Sequence, residues 1–403
     1  MKIWMFNHYA ITPEQAGGTR HFSLAQRLIE RGHQPVIIAS NYDHFNGKDR
    51  HPGATGPVKE DVQGVPFVWI PTRSYTGNGK GRALNMLDFT RGFRGLNGLN
   101  LEKPDVIFGS TPHLFTPYAA QKLARRMNVP FVLEIRDVWP QTLVDLGNFS
   151  ENSPMIRVLA WMEKRLYRTA DQIISLLPGA GDHCAALGAP RDRLHWIPNG
   201  IDLKFSPSDL PQRPEDGQFI AMFAGAHGLA NGLDTVLDAA KITGSAPVKF
   251  RLMGDGPEKP RLLQRAKDEG ISNVEFLDSV PKKEVYGQLA QADAYIMLLK
   301  ASEVFRWGVS PNKLFDYMAC GRPIVFAVSS SNSPVESAGC GLRIPADDPE
   351  ALAEACRSLA ASSRDERLAM GAKGRAYVEA NHSFEVLTDR LEEALAKAIQ
   401  NKR

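Results

Sequence analysis

Phe223-Ala224-Gly225-Ala226-His227-Gly228-Leu229-Ala230-Asn231-Gly232-Leu233-Asp234 reads as the end of an apolar strand, a glycine-rich turn and the start of a helix. A strand that feeds a helix through a tight turn is the unit of a parallel sheet, because parallel neighbours require a crossover. The alternation continues on either side. Downstream, strands are expected at 248–253, 274–277, 294–299 and 323–327, with 219–224 opening the set. Upstream they are expected at 2–6, 35–40, 67–70, 105–110, 131–135, 172–176 and 195–197, separated by segments of helical period. The first such helix runs from about Thr19 to Arg31, with Phe22, Ala25, Leu28 and Ile29 on one stripe and Gly32 past its end.

Between the two series, Ile197-Pro198-Asn199-Gly200-Ile201-Asp202 breaks the pattern, and a polar stretch with Pro207, Pro211 and Pro214 follows. The fold class expected is therefore α/β, two Rossmann-like domains facing across a cleft. An N-terminal domain over 1–200 is completed by a C-terminal helix over 383–403, and 201–382 forms the second domain. Breaks in the helical tail are expected at Ser362-Ser363 and near Asn381-His382-Ser383. At 403 residues with 43% hydrophobic and 23% charged content, the chain can bury two cores. A net charge of +3 is too small for general nucleic-acid affinity. Four cysteines without C-x-x-C spacing read as reduced, and Met1 to Phe6 is too short for an export signal, so the chain reads as cytoplasmic.

Trp307-Gly308-Val309-Ser310-Pro311-Asn312-Lys313-Leu314-Phe315-Asp316-Tyr317-Met318-Ala319-Cys320-Gly321-Arg322-Pro323 carries the strongest chemistry. Ser310 reads as a helix cap, Pro311 as the first helical residue and Gly321 as the stop. A helix N-terminus favours an anion, Lys313 adds a full charge in the first turn, and Asp316 is a carboxylate suited to vicinal ribose hydroxyls. A capped surface helix with a Lys313–Asp316 ion pair explains the same residues. Gly225, Gly228 and Gly232 would let backbone approach a ligand, with His227 and Asn231 as donors, and Gly254 and Asp255 in Leu252-Met253-Gly254-Asp255-Gly256-Pro257 would line a ribose or base pocket. Neither turn is G-x-G-x-x-G, and no Walker A sequence is present.

In the first half, Gly17 and Gly18, before Thr19-Arg20-His21, can offer amides to an anion, with Arg20 and His21 as added donors. In Glu134-Ile135-Arg136-Asp137-Val138-Trp139-Pro140 an apolar strand ends in charge. Asp137 could orient or deprotonate a hydroxyl and Arg136 could meet phosphate, against the alternative of a local salt bridge. His113 follows another strand, and either faces the cleft or caps the next helix. No histidine pattern suggests a metal site. From Arg73 to Lys103, six basic residues against two acids alternate with Leu84, Met86, Leu87, Phe89, Phe93, Leu96 and Leu99. That mix suits an anionic membrane surface, or else a basic helix packed on its domain.

Taken together, these segments resemble the retaining glycosyltransferases of family four, whose GT-B fold holds a nucleotide-sugar between two Rossmann-like domains. They look most like the fucosamine transferase-like subgroup of bacterial surface-polysaccharide assembly. The resemblance implies that Asp316 matches the second acid of the Glu-x7-Glu motif, while Gly308 stands where the first acid would be. It places the usual Arg and Lys of the first turn on Ala226 and Asn231, shifting diphosphate binding to His227, Lys313, Arg306 and the helix N-terminus formed by Ser310, Pro311 and Asn312. It implies a UDP-sugar donor, no metal or other cofactor, and a lipid-linked or oligosaccharide acceptor of O-antigen or capsule type met at the inner face of the plasma membrane. Asp137, His113 and Lys313 are the expected catalytic groups. A nucleotide-sugar 2-epimerase of the same architecture, or a non-catalytic nucleotide-sugar-binding protein, are the alternatives.

Overall fold

The computed structural model describes residues 1–402 apart from Ala16, Phe45, Asn78, Asn148 and 207–209. Pro207 of the linker, Ala16 of the first glycine turn and Arg403 of the last helix thus lie outside the described residues. Two compact units divide the chain, one of Met1–Asn199 with Phe384–Arg403 and one of Gly200–Ser383.

In the first unit the strands are β1 (Lys2–Phe6), β2 (Gln34–Ser40), β3 (Tyr42–Asp43), β4 (Lys48–Asp49), β5 (Val58–Val62), β6 (Val65–Ile70), β7 (Val106–Ser110), β8 (Phe131–Ile135), β9 (Gln172–Ser175) and β10 (Leu194–Trp196). Eight of them form one sheet in the order β10-β9-β8-β7-β1-β2-β6-β5, and β3 pairs with β4 apart from it. All pairs in the large sheet are parallel except β5 with β6. The helices are α1 (Arg20–Glu30), α2 (Lys80–Gly92), α3 (Phe115–Met127), α4 (Gln141–Gly147), α5 (Pro154–Thr169) and α6 (Ala180–Ala186).

The second unit has β11 (Phe219–Ala224), β12 (Val248–Met253), β13 (Val274–Leu277), β14 (Ala294–Leu298), β15 (Ile324–Ala327) and β16 (Gly341–Ile344), all parallel in the order β13-β12-β11-β14-β15-β16. Its helices are α7 (Asp234–Thr243), α8 (Lys259–Asp268), α9 (Lys282–Leu289), α10 (Asn312–Ala319), α11 (Pro334–Ala338), α12 (Pro349–Ala361) and α13 (Arg364–His382). The last helix, α14 (Phe384–Lys402), belongs to the first unit. Its Leu387, Leu391, Leu395 and Ala398 pack into the core that also holds Phe22, Leu24 and Leu28 of α1.

Each of the two large sheets is covered on both faces, and its central strands are continuous apolar runs. Four strands escaped the sequence reading: the two-residue pair Tyr42–Asp43 and Lys48–Asp49, and the sheet edges Val58–Val62 and Gly341–Ile344. Val58–Val62 is a charged antiparallel edge, and Gly341–Ile344 is a partly exposed edge opening on glycine. In both sheets the strand order reverses, beside β1 and β7 in the first unit and beside β11 and β14 in the second. Loops that leave such a reversal diverge and open a crevice at the strands' carboxyl ends.

Residues 73–103 correct the membrane expectation for that stretch. Met86, Phe89, Phe93 and Leu96 are buried and Leu87 and Leu99 half-buried, so most of the apolar side chains that would meet lipid are spent on packing and only Leu84 stays exposed. Among the described residues no helix is long and apolar enough to cross a membrane. All four cysteines are buried thiols.

Candidate active site

In the second unit the ladder between β11 and β12 runs on past the strands. Gly225 N donates to Met253 O at 2.9 Å and His227 N to Asp255 O at 2.8 Å. The two loops lie so close that a Cβ on Gly254 would stand 2.0 Å from Gly225 O, and one on Gly256 2.4 Å from His227 O. Glycine is therefore required there by contact between loops. From the far side α10 is pinned to the same point: Tyr317 Oη donates to Ala224 O at 2.9 Å and accepts from Ala224 N at 2.7 Å.

One turn before Tyr317, this clamp sets the Lys313 ammonium over the start of the β11 loop. Nζ lies 4.3 Å from the Phe223 ring centroid and donates to Asn231 Oδ1 at 2.6 Å. A Cβ on Gly225 would come within 3.5 Å of Nζ, so the missing side chain leaves the room beside the charge. No carboxylate among the described residues pairs with Lys313, and Asp316, three residues on, turns instead to α9, where its Oδ1 accepts from Tyr286 Oη at 2.8 Å. The ion-pair reading of Lys313 with Asp316 therefore fails. Loss of water around Lys313 pushes its pKa down to about 7, even though part of the side chain still meets solvent.

The helix starts one residue later than its sequence suggests. Pro311 is the cap, α10 begins at Asn312, and no side chain caps it, so Ser310 does not fill the role expected of it. Gly308 has φ 98° and ψ 179°, a conformation that a glutamate would adopt only under strain, which accounts for the missing first acid. Val309 N and O are both held by the Asn332 amide, at 2.8 and 3.1 Å. Arg306 is exposed and lies 3.8 Å over the Trp307 ring.

Three further residues differ from expectation. His227 is fully buried near Phe223 and Phe276, with neither ring nitrogen hydrogen-bonded, and so is not the exposed donor expected of this turn. Burial lowers its pKa and keeps it neutral. Asn231 is spent on Lys313 and, through Nδ2, on Ala226 O at 2.8 Å. Asp255 is engaged by Ser279 Oγ at 2.7 Å and by Lys259, while Gly228 has open space where a Cβ would stand.

In the first unit, Gly17 and Gly18 are exposed between β1 and α1, and Gly17 has φ 126°. Arg20 and His21 are not available to an anion. Both are buried around Glu134: Arg20 Nε donates to Oε1 at 2.8 Å, His21 Nε2 lies 2.9 Å from Oε2, and Ser110 Oγ donates to Oε2 at 2.6 Å. Arg20 also donates to Ile197 O at 2.9 Å and to Pro198 O, tying the end of the unit to α1. Burial alone would raise the Glu134 pKa, but its basic neighbours hold it well below the carboxylate range. Burial lowers the pKa of His21, so Arg20 is the lasting cation of the cluster.

His113 is also taken. Its Nδ1 accepts from Thr116 N at 3.4 Å, and its Nε2 lies 2.8 Å from Nδ1 of His8, a residue that sequence reasoning passed over. His8 Nε2 in turn meets Asn85 Oδ1 at 2.7 Å, and Asn85 Nδ2 donates to Thr72 Oγ1 and Arg73 O. These contacts assign one direction of donation along the whole row, and burial lowers both histidines, His8 to about 3, so both are neutral. With 1% exposure, His113 supports the loops at the sheet's reversal and does not meet an acceptor itself. The cavity beside His8 holds about 20 Å³, room for a water and not for a sugar. Asp137 is exposed just past β8, yet enough protein surrounds it to raise its carboxyl pKa, Arg136 opposing the shift. Arg136 N donates to Thr111 Oγ1 at 2.8 Å.

The sequence matches two family models, a glycosyl transferase 4-like domain over residues 16–200 and glycosyl transferases group 1 over residues 218–362. It is 23% identical over 234 residues to the putative colanic acid biosynthesis glycosyl transferase WcaI of Escherichia coli, covering 54% of this chain and 56% of that protein. It is 25% identical over 253 residues to a GDP-mannose-dependent monoacylated alpha-(1-6)-phosphatidylinositol monomannoside mannosyltransferase of Corynebacterium glutamicum, covering 54% and 65%. The matches span less than two thirds of the length of these curated relatives. Among solved structures, sucrose-phosphate synthase of Thermosynechococcus elongatus has a TM-score of 0.75 at 16% identity, covering 97% of each chain. Anabaena HepE, solved with UDP and glucose, has a TM-score of 0.68 at 14% identity, covering 98% of this chain and 99% of that one. These likenesses establish the GT-B fold.

Two stability measurements follow. Glu134→Gln leaves Arg20 buried without its counter-charge and should cost about 3–5 kcal/mol in chemical denaturation at neutral pH. Because the folded Glu134 pKa lies below the unfolded one, the wild-type advantage is present above the ordinary value of 4.5 and shrinks as pH falls below it. Lys313→Met should do the opposite, raising stability by about 1–3 kcal/mol at neutral pH by removing a desolvated charge. The wild type itself should gain stability between pH of about 7 and the ordinary lysine value of 10.5, where the unfolded chain holds the extra proton, and the variant should lose that slope.

Proposed function

The chain belongs to the glycosyltransferases that join a glycosyl transferase 4-like domain to a group 1 domain, and on that premise we propose that it moves a sugar from a nucleoside diphosphate to a hydroxyl of a lipid-linked or oligosaccharide acceptor during polysaccharide or glycolipid assembly. The observation that carries the proposal is the Lys313 ammonium, desolvated, with no carboxylate partner among the described residues, and in the first turn of the uncapped α10. A cation kept from water with no counter-charge among the described residues is stabilised by an anion that arrives from outside.

When the bond from the sugar to the diphosphate breaks, negative charge grows on the leaving oxygen. Amides at the start of α10 and the Lys313 ammonium would lie ready to stabilise it without reorganising. Diphosphate binding would raise the lysine pKa, so that the charge is complete when it is needed. Gly225 and Gly254 would let the sugar and ribose lie against backbone, and the Asp316 carboxylate, oriented by Tyr286, would receive ribose hydroxyls. In the first unit, Asp137 is the group we assign to orienting the acceptor hydroxyl, its raised carboxyl supporting a role as proton acceptor. Retention of configuration and metal independence are carried over from the resemblance.

A UDP donor is supported by the UDP held in the HepE structure, while the GDP-mannose dependence in the name of the Corynebacterium relative favours GDP as the second reading. The absence of a carboxylate at Gly308 supports a sugar with an amino or deoxy position in place of a hydroxyl. Incubation with UDP- and GDP-sugars should release nucleoside diphosphate only when acceptor glycolipid is added. Lys313→Met should weaken UDP binding in calorimetry more than about tenfold, and Asp137→Asn should lower turnover while leaving UDP affinity unchanged. Unchanged affinity in the Lys313 variant would overturn the assignment.

A further inference from the structure

Helix α5 is amphipathic in a way the core does not use up. Its inner side buries Ile156, Leu159, Met162, Leu166 and Tyr167, yet its outer side carries Met155, Val158 and Trp161, exposed by 46, 56 and 55%. Leu146 near the end of α4 and Phe149 just beyond it are exposed by 57 and 44%. Five of the ten large hydrophobic residues exposed among those described thus fall within sixteen residues of sequence, which scattered surface exposure does not explain.

The charge on this face has one sign. Arg157, Lys164, Arg165 and Arg168 lie on α5, and its single acid, Glu163, is turned inward, 2.8 Å from His183 Nε2. The neighbouring α3 has no acid, and its Lys122, Arg125 and Arg126 are exposed. The two helices meet through Tyr118 and Trp161, whose rings are 5.8 Å apart, with Lys122 Nζ 4.4 Å from the Tyr118 ring. In the sequence that joins the patch, Asp145 on α4 and Glu151 before α5 are the acids. A strip of large apolar side chains flanked by seven cations complements an anionic bilayer: the rings and thioether enter the acyl boundary while the cations stay at the headgroups.

We infer that the outer face of α5, extended by Leu146 and Phe149, docks the first unit on an anionic lipid surface. Residues 73–103 are less suited to this, since Met86, Phe89, Phe93 and Leu96 are buried and only Leu84 is exposed among their large apolar side chains. The patch adjoins the acceptor loop in sequence, because α4 opens directly after Asp137-Val138-Trp139-Pro140. This extends the reading of a lipid-linked acceptor, but the docking itself does not depend on that reading.

Flotation of the full chain with phosphatidylcholine vesicles, with and without phosphatidylglycerol, tests it. The expected result is several-fold greater recovery with the anionic vesicles, weakened by salt. Paired Val158→Gln and Trp161→Gln should cut that recovery at least about tenfold, and paired Arg157→Glu and Lys164→Glu should abolish the preference for anionic lipid. UDP affinity measured on the same samples reports that the variants are folded, and failure of UDP binding in the wild type would sink the functional reading while leaving the flotation result intact. The docking proposal is overturned if the wild type floats equally poorly with both vesicles, or if the paired variants float like the wild type. Concentration-dependent self-association without flotation would also overturn it, and would assign the face to a second copy of the chain.

Discussion

A largely desolvated ammonium group with no carboxylate partner among the described residues is the constraint around which the second unit is built. Burial of a cation is costly, and proteins normally offset it with a counter-ion. Here Phe223, Asn231 and the vacant side of Gly225 surround Lys313 Nζ, and its pKa falls to about 7. The surrounding architecture keeps that arrangement in place: the double hydrogen bond of Tyr317 to Ala224 fixes α10 against β11, and the glycine contacts between the β11 and β12 loops hold the floor. A site kept at such a cost to stability is what binding of a di-anionic ligand would require.

The first unit solves the opposite problem. Glu134 is buried and paired, with Arg20, His21 and Ser110 converging on it, so the charge cluster at the end of β8 is complete without a ligand. By joining α1, β7, β8 and the chain after β10, it holds still the loops from which Asp137 projects. The His8–His113 row does the same one strand over. Buried and satisfied polar groups of this kind give rigidity, and the groups left exposed beside them are the ones free to meet a substrate.

Much of the fold was legible because fully buried parallel strands are unbroken apolar runs, as in Phe219–Ala224 and Ile324–Ala327, and because helix stops such as Ser362-Ser363 are local. The charged edge Val58–Val62 has no such signature. At the site, sequence showed which segments carry charge and glycine but not which charges pair. Arg20 and Glu134 are 114 residues apart and His8 and His113 are 105, so their union is a product of sheet order and invisible to local spacing. The same limit made residues 73–103 look like a membrane face, since a basic amphipathic helix reads alike whether its apolar side meets lipid or core.

The most direct measurement is the titration of Lys313 itself, followed through the carbon next to its nitrogen by NMR of isotope-labelled lysine, with Lys313→Arg to assign the signal. The account predicts a midpoint near the value of about 7 in the ligand-free protein and a marked rise on saturation with nucleoside diphosphate. A midpoint at the ordinary lysine value, or one that nucleoside diphosphate does not move, would contradict it.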